Sequence, residues 1–405
     1  MTVALGAPVR TAPWPRWPDY RDAAAGLAAA AEDGVGAAAD GPRKLAFERA
    51  WAQFTACGHA VGVANGTVSL EIALRALGIG AGDEVIVPPY TFAATATAVL
   101  GVGALPVFAD IEPESYNLDP AAVEASVSAR TRAVIVVHLG GAPADLDALT
   151  RLCARHGLAL VEDAAHAHGA RWRGRPVGGF GAFGSWSFQA SKNLSAGEGG
   201  ALTTDDAALA EAAWELHNCG RRRDEPWYAH FEPGGNHRLT EWSAAVLAAG
   251  LRRLPAQIER RTACAAVLDT ELSTVDGIRP LGRDARADVH AHHLYLFRYD
   301  PAAFAGLDRE RFVAALRHHG IPAATGYPAP LDRQPLFAQA RFDRRATGWT
   351  PANPATRYGA LPLPVCERAC AETVWLPHSL LLAEPEEMTD VVTAIREVQR
   401  SAVAS

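Results

Sequence analysis

Five short apolar segments punctuate the first half of this chain: HAVGVAN (59–65), EVIVPPY (84–90), ALPVFADI (104–111), RAVIVVHLGG (132–141) and LALVEDAAHAHGA (158–170). Helical spacing fills the gaps between them. In NGTVSLEIALRALGIGAGDEV, for instance, Leu70, Ala73, Leu74 and Leu77 fall on one helix face. A strand without polar alternation must be covered on both sides, and strand–helix–strand order supplies that cover. The pattern predicts an α/β fold on a mostly parallel sheet. The series runs to about residue 250. Beyond it, DVHAHHLYLFRYD and the helical DRERFVAALRHHG predict a smaller α+β domain. The expected organisation is a large domain over 1–250, entered through an arm over about 1–40, and a small domain over 251–405.

Bulk properties remove several function classes. A net charge of −7 and a pI near 6.1 provide no basic field for nucleic acid. No apolar run is long enough to span a bilayer. MTVALGAPVRTAPWPRWPDY lacks a basic stretch followed by an apolar one, so a cytoplasmic enzyme is expected. The six cysteines are scattered, which argues against a disulfide framework; Cys366 and Cys370 have helical spacing and are read as packing. The run HAHH (290–293) invites a metal. Alternating strand positions face opposite ways, however, and no carboxylate cluster accompanies the run, so no metal is expected.

The chemistry points to SFQASKNLSAGEGGALTT, Ser187 to Thr204. Lys192 sits there among small and polar residues, five positions after Ser187 and just before the Gly-rich turn at 197–200. A lysine so placed can bond covalently to a carbonyl cofactor, although an exposed lysine would look the same. Asp163 ends an apolar strand, where sheet ligands bind, and can pair with a cationic ring nitrogen or cap the next helix. His166 follows one helical turn later. Asn65-Gly66-Thr67 opens a helix and can hold a phosphate or act as an ordinary cap. Phe92, past a strand end, can stack on a flat ring or pack in the core. Arg221–Arg223 reads as a solvated turn or an anion site.

In this order, NGT, PPYTF, FADI, VEDAAHA, SKN with GEGG, and NHRLTE resemble the sugar and aminocyclitol aminotransferases of the DegT/DnrJ/EryC1/StrS family, from about residue 40 onward. That resemblance implies fold type I, the aspartate-aminotransferase fold, with a mixed, mostly parallel sheet. It also implies pyridoxal 5′-phosphate as cofactor. Lys192 would be the Schiff-base lysine and proton carrier, and Asp163 the partner of the pyridine nitrogen. Gly66, Thr67 and Ser187 would bind the phosphate, with Asn236 reaching in from a second subunit of a homodimer. Phe92 would stack on the ring and His166 would lie near its phenolic oxygen.

The amino donor expected is glutamine or glutamate. For the acceptor, GYPAPLDRQPLF (326–337) and HNCGRRRD (217–224) most resemble members acting on keto-inositols such as scyllo-inosose, which places Tyr327 and Arg221 at the substrate. Nucleotide keto-sugars rank second and a 3-amino-5-hydroxybenzoate synthase third. A ligand-sensing regulator with a degenerate site is the rival from another class, disfavoured because every expected catalytic position is filled.

Overall fold

The structure, a computed structural model, describes residues 5–20, 23–32, 40–345, 347–348 and 356–404; of the expected arm, 1–4, 21–22 and 33–39 lie outside the described residues. Among them, seven strands form the main sheet: β1 (His59–Val63), β2 (Glu84–Val87), β3 (Leu105–Phe108), β4 (Thr131–Val137), β5 (Ala159–Asp163), β8 (Phe183–Ser187) and β9 (Gly200–Thr204). Between β5 and β8 a two-residue hairpin is made by β6 (Arg171–Trp172) and β7 (Arg175–Pro176). The spatial order is β1-β9-β8-β5-β4-β2-β3. The run from β8 to β3 is parallel, and β9 alone runs against its neighbours β8 and β1.

Side-chain alternation divides the core between the two faces. Ile86, Val134, Val136 and Leu160 pack into one layer, with Trp51 and Trp186; Val85, Val87, Ala133, Ile135 and Val161 pack into the other. The sheet is thus buried on both sides, as its uninterrupted apolar strands require.

A second sheet of three antiparallel strands follows: β10 (Ile278–Pro280), β11 (Leu294–Tyr299) and β12 (Thr373–Pro377), with β11 in the middle. The histidine run 290–293 precedes β11 rather than lying in it, so strand alternation does not govern where those rings point. His290 and His292 instead stack on each other at 4.0 Å.

One helix, Glu241–Leu272, joins the two parts and contains residue 250. Thr240 caps it by accepting from the Ser243 N–H at 3.0 Å. At 1.5 Å per residue its 32 residues span about 48 Å. Leu247 and Leu254 enter the core of the main sheet, while Cys264, Leu268 and Leu272 enter that of the small sheet.

The described part of the arm crosses the molecule. Arg10 is anchored to Glu387 at 2.7 Å and Asp390 at 2.8 Å, and Trp14 Nε1 donates to Gly320 O at 2.8 Å. Further on, Asp19 meets Arg253 at 3.2 Å and Tyr20 Oη meets Ser195 Oγ at 3.0 Å.

Candidate active site

The parallel strands end on a common edge, the usual ligand position in such sheets. A cavity of about 1040 Å³ opens there, lined by Thr67, Phe92, Asp163, His166, Ser187 and Lys192 among others. The sheet order thereby gathers residues far apart in sequence.

At the end of β1, the Asn65 side chain accepts from the Val68 N–H at 2.9 Å and caps the helix Gly66–Ala76, leaving Gly66 and Thr67 in its first turn. The cap thus stands directly before the two residues expected to hold a phosphate. Gly66 packs against the end of β8: a Cβ built on it would stand 2.7 Å from Ser187 Cβ and 3.2 Å from Ser187 Oγ. Only glycine leaves that space open.

Asp163 ends β5 and is buried. Thr95 Oγ1 donates to its Oδ2 at 2.8 Å, and the Ala165 N–H to Oδ1 at 3.3 Å. Burial raises its pKa above the usual carboxylate range, opposed by these hydrogen bonds and the positive charge of Lys192. Among the described residues no cation comes within 4 Å of the carboxylate.

Lys192 sits in the turn after β8, its backbone N–H donating to Gln189 O at 2.9 Å. Burial pulls its ammonium down from 10.5 to about 8, with Asp163 pulling the other way. Neutral, nucleophilic amine is then far more abundant near neutral pH than for an ordinary lysine.

His166 is buried, and burial, with the charge of Lys192, drives its pKa well below 6.5. Its Nδ1 accepts from the Gly140 N–H at 3.3 Å, so in the neutral ring Nε2 carries the hydrogen.

Phe92 is 63% exposed at the rim, outside the core. Tyr327 lines the cavity, edge-on to Tyr90 at 5.2 Å and to Trp375 at 4.8 Å. Asn236 and Arg221 do not line this cavity. Asn236 is exposed and accepts from Arg238 Nε at 2.9 Å, while Arg221 lies over Trp227 at 4.8 Å.

Sequence reading missed several lining residues: Thr95, Trp17, His293, Trp375 and His378. Thr95 had a usable signal, one helical turn after Phe92. The others come from the arm and the small sheet, whose approach no local pattern announces.

The donor set suits pyridoxal phosphate. Gly66, Thr67 and Ser187 would hold the phosphate at a helix N-terminus. Asp163, a buried carboxylate without a bonded cation, would hold the ring nitrogen, and the low-pKa amine of Lys192 the carbonyl carbon.

Comparison with known proteins agrees with this geometry. The pattern of the DegT/DnrJ/EryC1/StrS aminotransferase family matches residues 22–396. The chain is 40% identical to an L-glutamine:2-deoxy-scyllo-inosose aminotransferase of Micromonospora echinospora, over 98% of this chain and 97% of that protein. It is also 40% identical to a 3-amino-5-hydroxybenzoate synthase of Amycolatopsis mediterranei, over 93% and 95%. The crystal structure of a 3-amino-5-hydroxybenzoic acid synthase superposes with a TM-score of 0.86 at 37% identity, over 98% of this chain and all of that one.

Proposed function

The chain belongs to the DegT/DnrJ/EryC1/StrS aminotransferase family of pyridoxal-phosphate-dependent enzymes, and on that premise we propose an acceptor for it. The amino group of L-glutamine or L-glutamate passes to a keto-cyclitol of the scyllo-inosose kind, in aminocyclitol antibiotic biosynthesis. One observation carries the choice: Lys192 is the only lysine or arginine among the described residues lining the cavity, where Asp163 and Glu198 supply carboxylates. An uncharged polyol suits that lining, whereas the diphosphate of a nucleotide sugar calls for cationic partners. The relatives that act on scyllo-inosose derivatives support the same reading.

Bound pyridoxal phosphate supplies the electrophilic carbon and the electron sink. The protein does the rest. Gly66, Thr67 and Ser187 fix the phosphate end. Asp163, held by Thr95, keeps a proton on the ring nitrogen. Lys192 Nζ takes the proton from the donor's α-carbon and, in the second half-reaction, returns one to the acceptor carbon that gains nitrogen. The His166 Nε2–H would be free to donate to the cofactor's phenolic oxygen, and Phe92, at the cavity rim, would serve to stack on its ring.

The working form is a homodimer. Asn236 lies outside its own subunit's cavity, and Phe92, Trp227, Tyr228 and Trp242 are exposed. In a dimer Asn236 reaches the partner's phosphate and these rings are covered; sedimentation at micromolar concentration reads the mass directly. The protein works in the cytoplasm; no helix of the described residues is long and apolar enough to cross a membrane.

The deciding assay incubates loaded enzyme with L-glutamine and a panel of keto-cyclitols and nucleotide keto-sugars, and weighs the products. Amination confined to keto-cyclitols is expected. Amination confined to nucleotide sugars, or an aromatised aminobenzoate, overturns the acceptor.

A further inference from the structure

We propose that His293 and His378 are positioning residues for Lys192, holding the Ser191 carbonyl before it and the Asn193 side chain after it from the ends of two paired strands of the small sheet. His378 follows β12 and His293 precedes β11. Leu294 is in register with Pro377, and the His378 N–H donates to His293 O at 3.2 Å, so the histidines stand side by side. Each holds one neighbour of the lysine. His378 Nε2 donates to Ser191 O at 3.0 Å, since a carbonyl only accepts. His293 Nδ1 lies 3.0 Å from Asn193 Oδ1. The Asn193 amide nitrogen is committed to Ala291 O at 2.7 Å, which leaves its oxygen to accept from His293.

The rings form a file. Trp17 meets His378 edge-on at 4.6 Å, His378 stacks on His293 at 5.5 Å, and His293 on His166 at 4.2 Å. Burial drives all three imidazoles well below their ordinary pKa, and the charge of Lys192 pushes the same way. The file stays neutral and adds no charge beside the amine. The titratable groups coupled to Lys192 are then Asp163, with opposite charge, and the neutral His166, His168, His293 and His378.

Lys192 lies in a turn outside the strands, where β-ladder bonds do not fix it. A proton carrier misplaced by about 1 Å loses much of its rate. Two hydrogen bonds from a second sheet remove that freedom.

The proposal rests on Lys192 being the amine that takes the cofactor. Its test reads the amine without cofactor, because Lys44 and Lys192 are the only lysines in the chain and Lys44 is buried beside Glu48 at 2.6 Å. Reductive ¹³C-methylation and NMR titration of cofactor-free protein give the Lys192 pKa, alongside melting temperature and the kcat and KM for glutamine of loaded enzyme. His378→Phe keeps the ring but loses the donor; His378→Gln restores a donor to Ser191 O. His293→Phe, which removes the bond to Asn193, is read in parallel.

In the two Phe variants the freed amine gains water, so its pKa rises by about one unit and kcat falls about tenfold, with KM and melting temperature little changed. The Gln variant stays near wild type. Unchanged pKa and kcat in both Phe variants overturn the grip. So does equal loss in the Phe and Gln variants together with a lowered melting temperature, which assigns the histidines to the fold alone. A Lys192→Ala protein that still holds cofactor covalently overturns the lysine assignment instead.

Discussion

Gly66 and Ser187 stand so close that a Cβ on the glycine would come within 2.7 Å of the serine Cβ. The contact brings a helix N-terminus against the end of β8, and so brings backbone N–H groups and a hydroxyl to one point. Gly66→Ala is expected to push these apart and weaken pyridoxal-phosphate binding by tenfold or more, on the order of 1.4 kcal/mol. Fluorescence titration of cofactor-free protein measures it; unchanged affinity would remove Gly66 from the phosphate site.

Asp163→Asn keeps an acceptor for Thr95 Oγ1 but loses the charge that, on the proposed function, would hold a proton on the ring nitrogen. Folding should be retained while kcat falls by about 10²–10⁴. Stopped-flow measurement of the glutamine half-reaction tests this, and a loss under threefold would contradict the pairing.

Acid should destabilise the protein through its buried histidines. His168 packs near Trp51, Trp186 and Phe188, each at 5.7 Å, and burial lowers its pKa from 6.5 to about 3. The unfolded chain takes up that proton below 6.5 and the folded chain resists until about 3, so stability falls as the pH drops through that window. Urea midpoints between pH 7 and pH 4 should show the slope. His168→Phe should flatten it in part, since other buried histidines titrate in the same sense.

Glu162 is wholly buried and accepts from the N–H groups of Gly178 at 2.7 Å, Phe180 at 2.6 Å and Gly181 at 3.1 Å, and from His138 Nε2 at 3.1 Å. Glu162→Gln would turn an NH₂ group toward these donors, at a cost of about 2–4 kcal/mol in urea unfolding. A change under 0.5 kcal/mol would mean that the loop rearranges freely around it.

How much of this the sequence disclosed follows from where the signals lie. β2 to β5 announce themselves because burial on both faces demands unbroken apolar runs. β8 and β9, FGSWS and GALTT, are just as buried but rich in small or polar residues, so the reversal at β9 stayed hidden. Asp163 could be read because it ends a legible apolar strand, and Lys192 because it comes after Asn65-Gly66-Thr67 and Asp163 in a fixed order along the chain. His293 and His378 could not. His293 reads only as part of a run that invites a metal, and His378 carries no local signal at all, until β11 pairs with β12, strands some eighty residues apart, and the small sheet meets the turn around Lys192. Trp17 belongs to the same class, a residue of the arm that reaches the cavity only through tertiary contacts.

The arm has a consequence for durability. Arg10 is tied to Glu387 and Asp390 at one end, Asp19 and Tyr20 to Arg253 and Ser195 at the other, and between them Trp17 and Pro18 form part of the cavity wall. That wall is a single strap without strand pairing. One protease cut within it would breach the chamber while leaving both sheets whole, so inactivation by nicking should outrun any loss of folded protein.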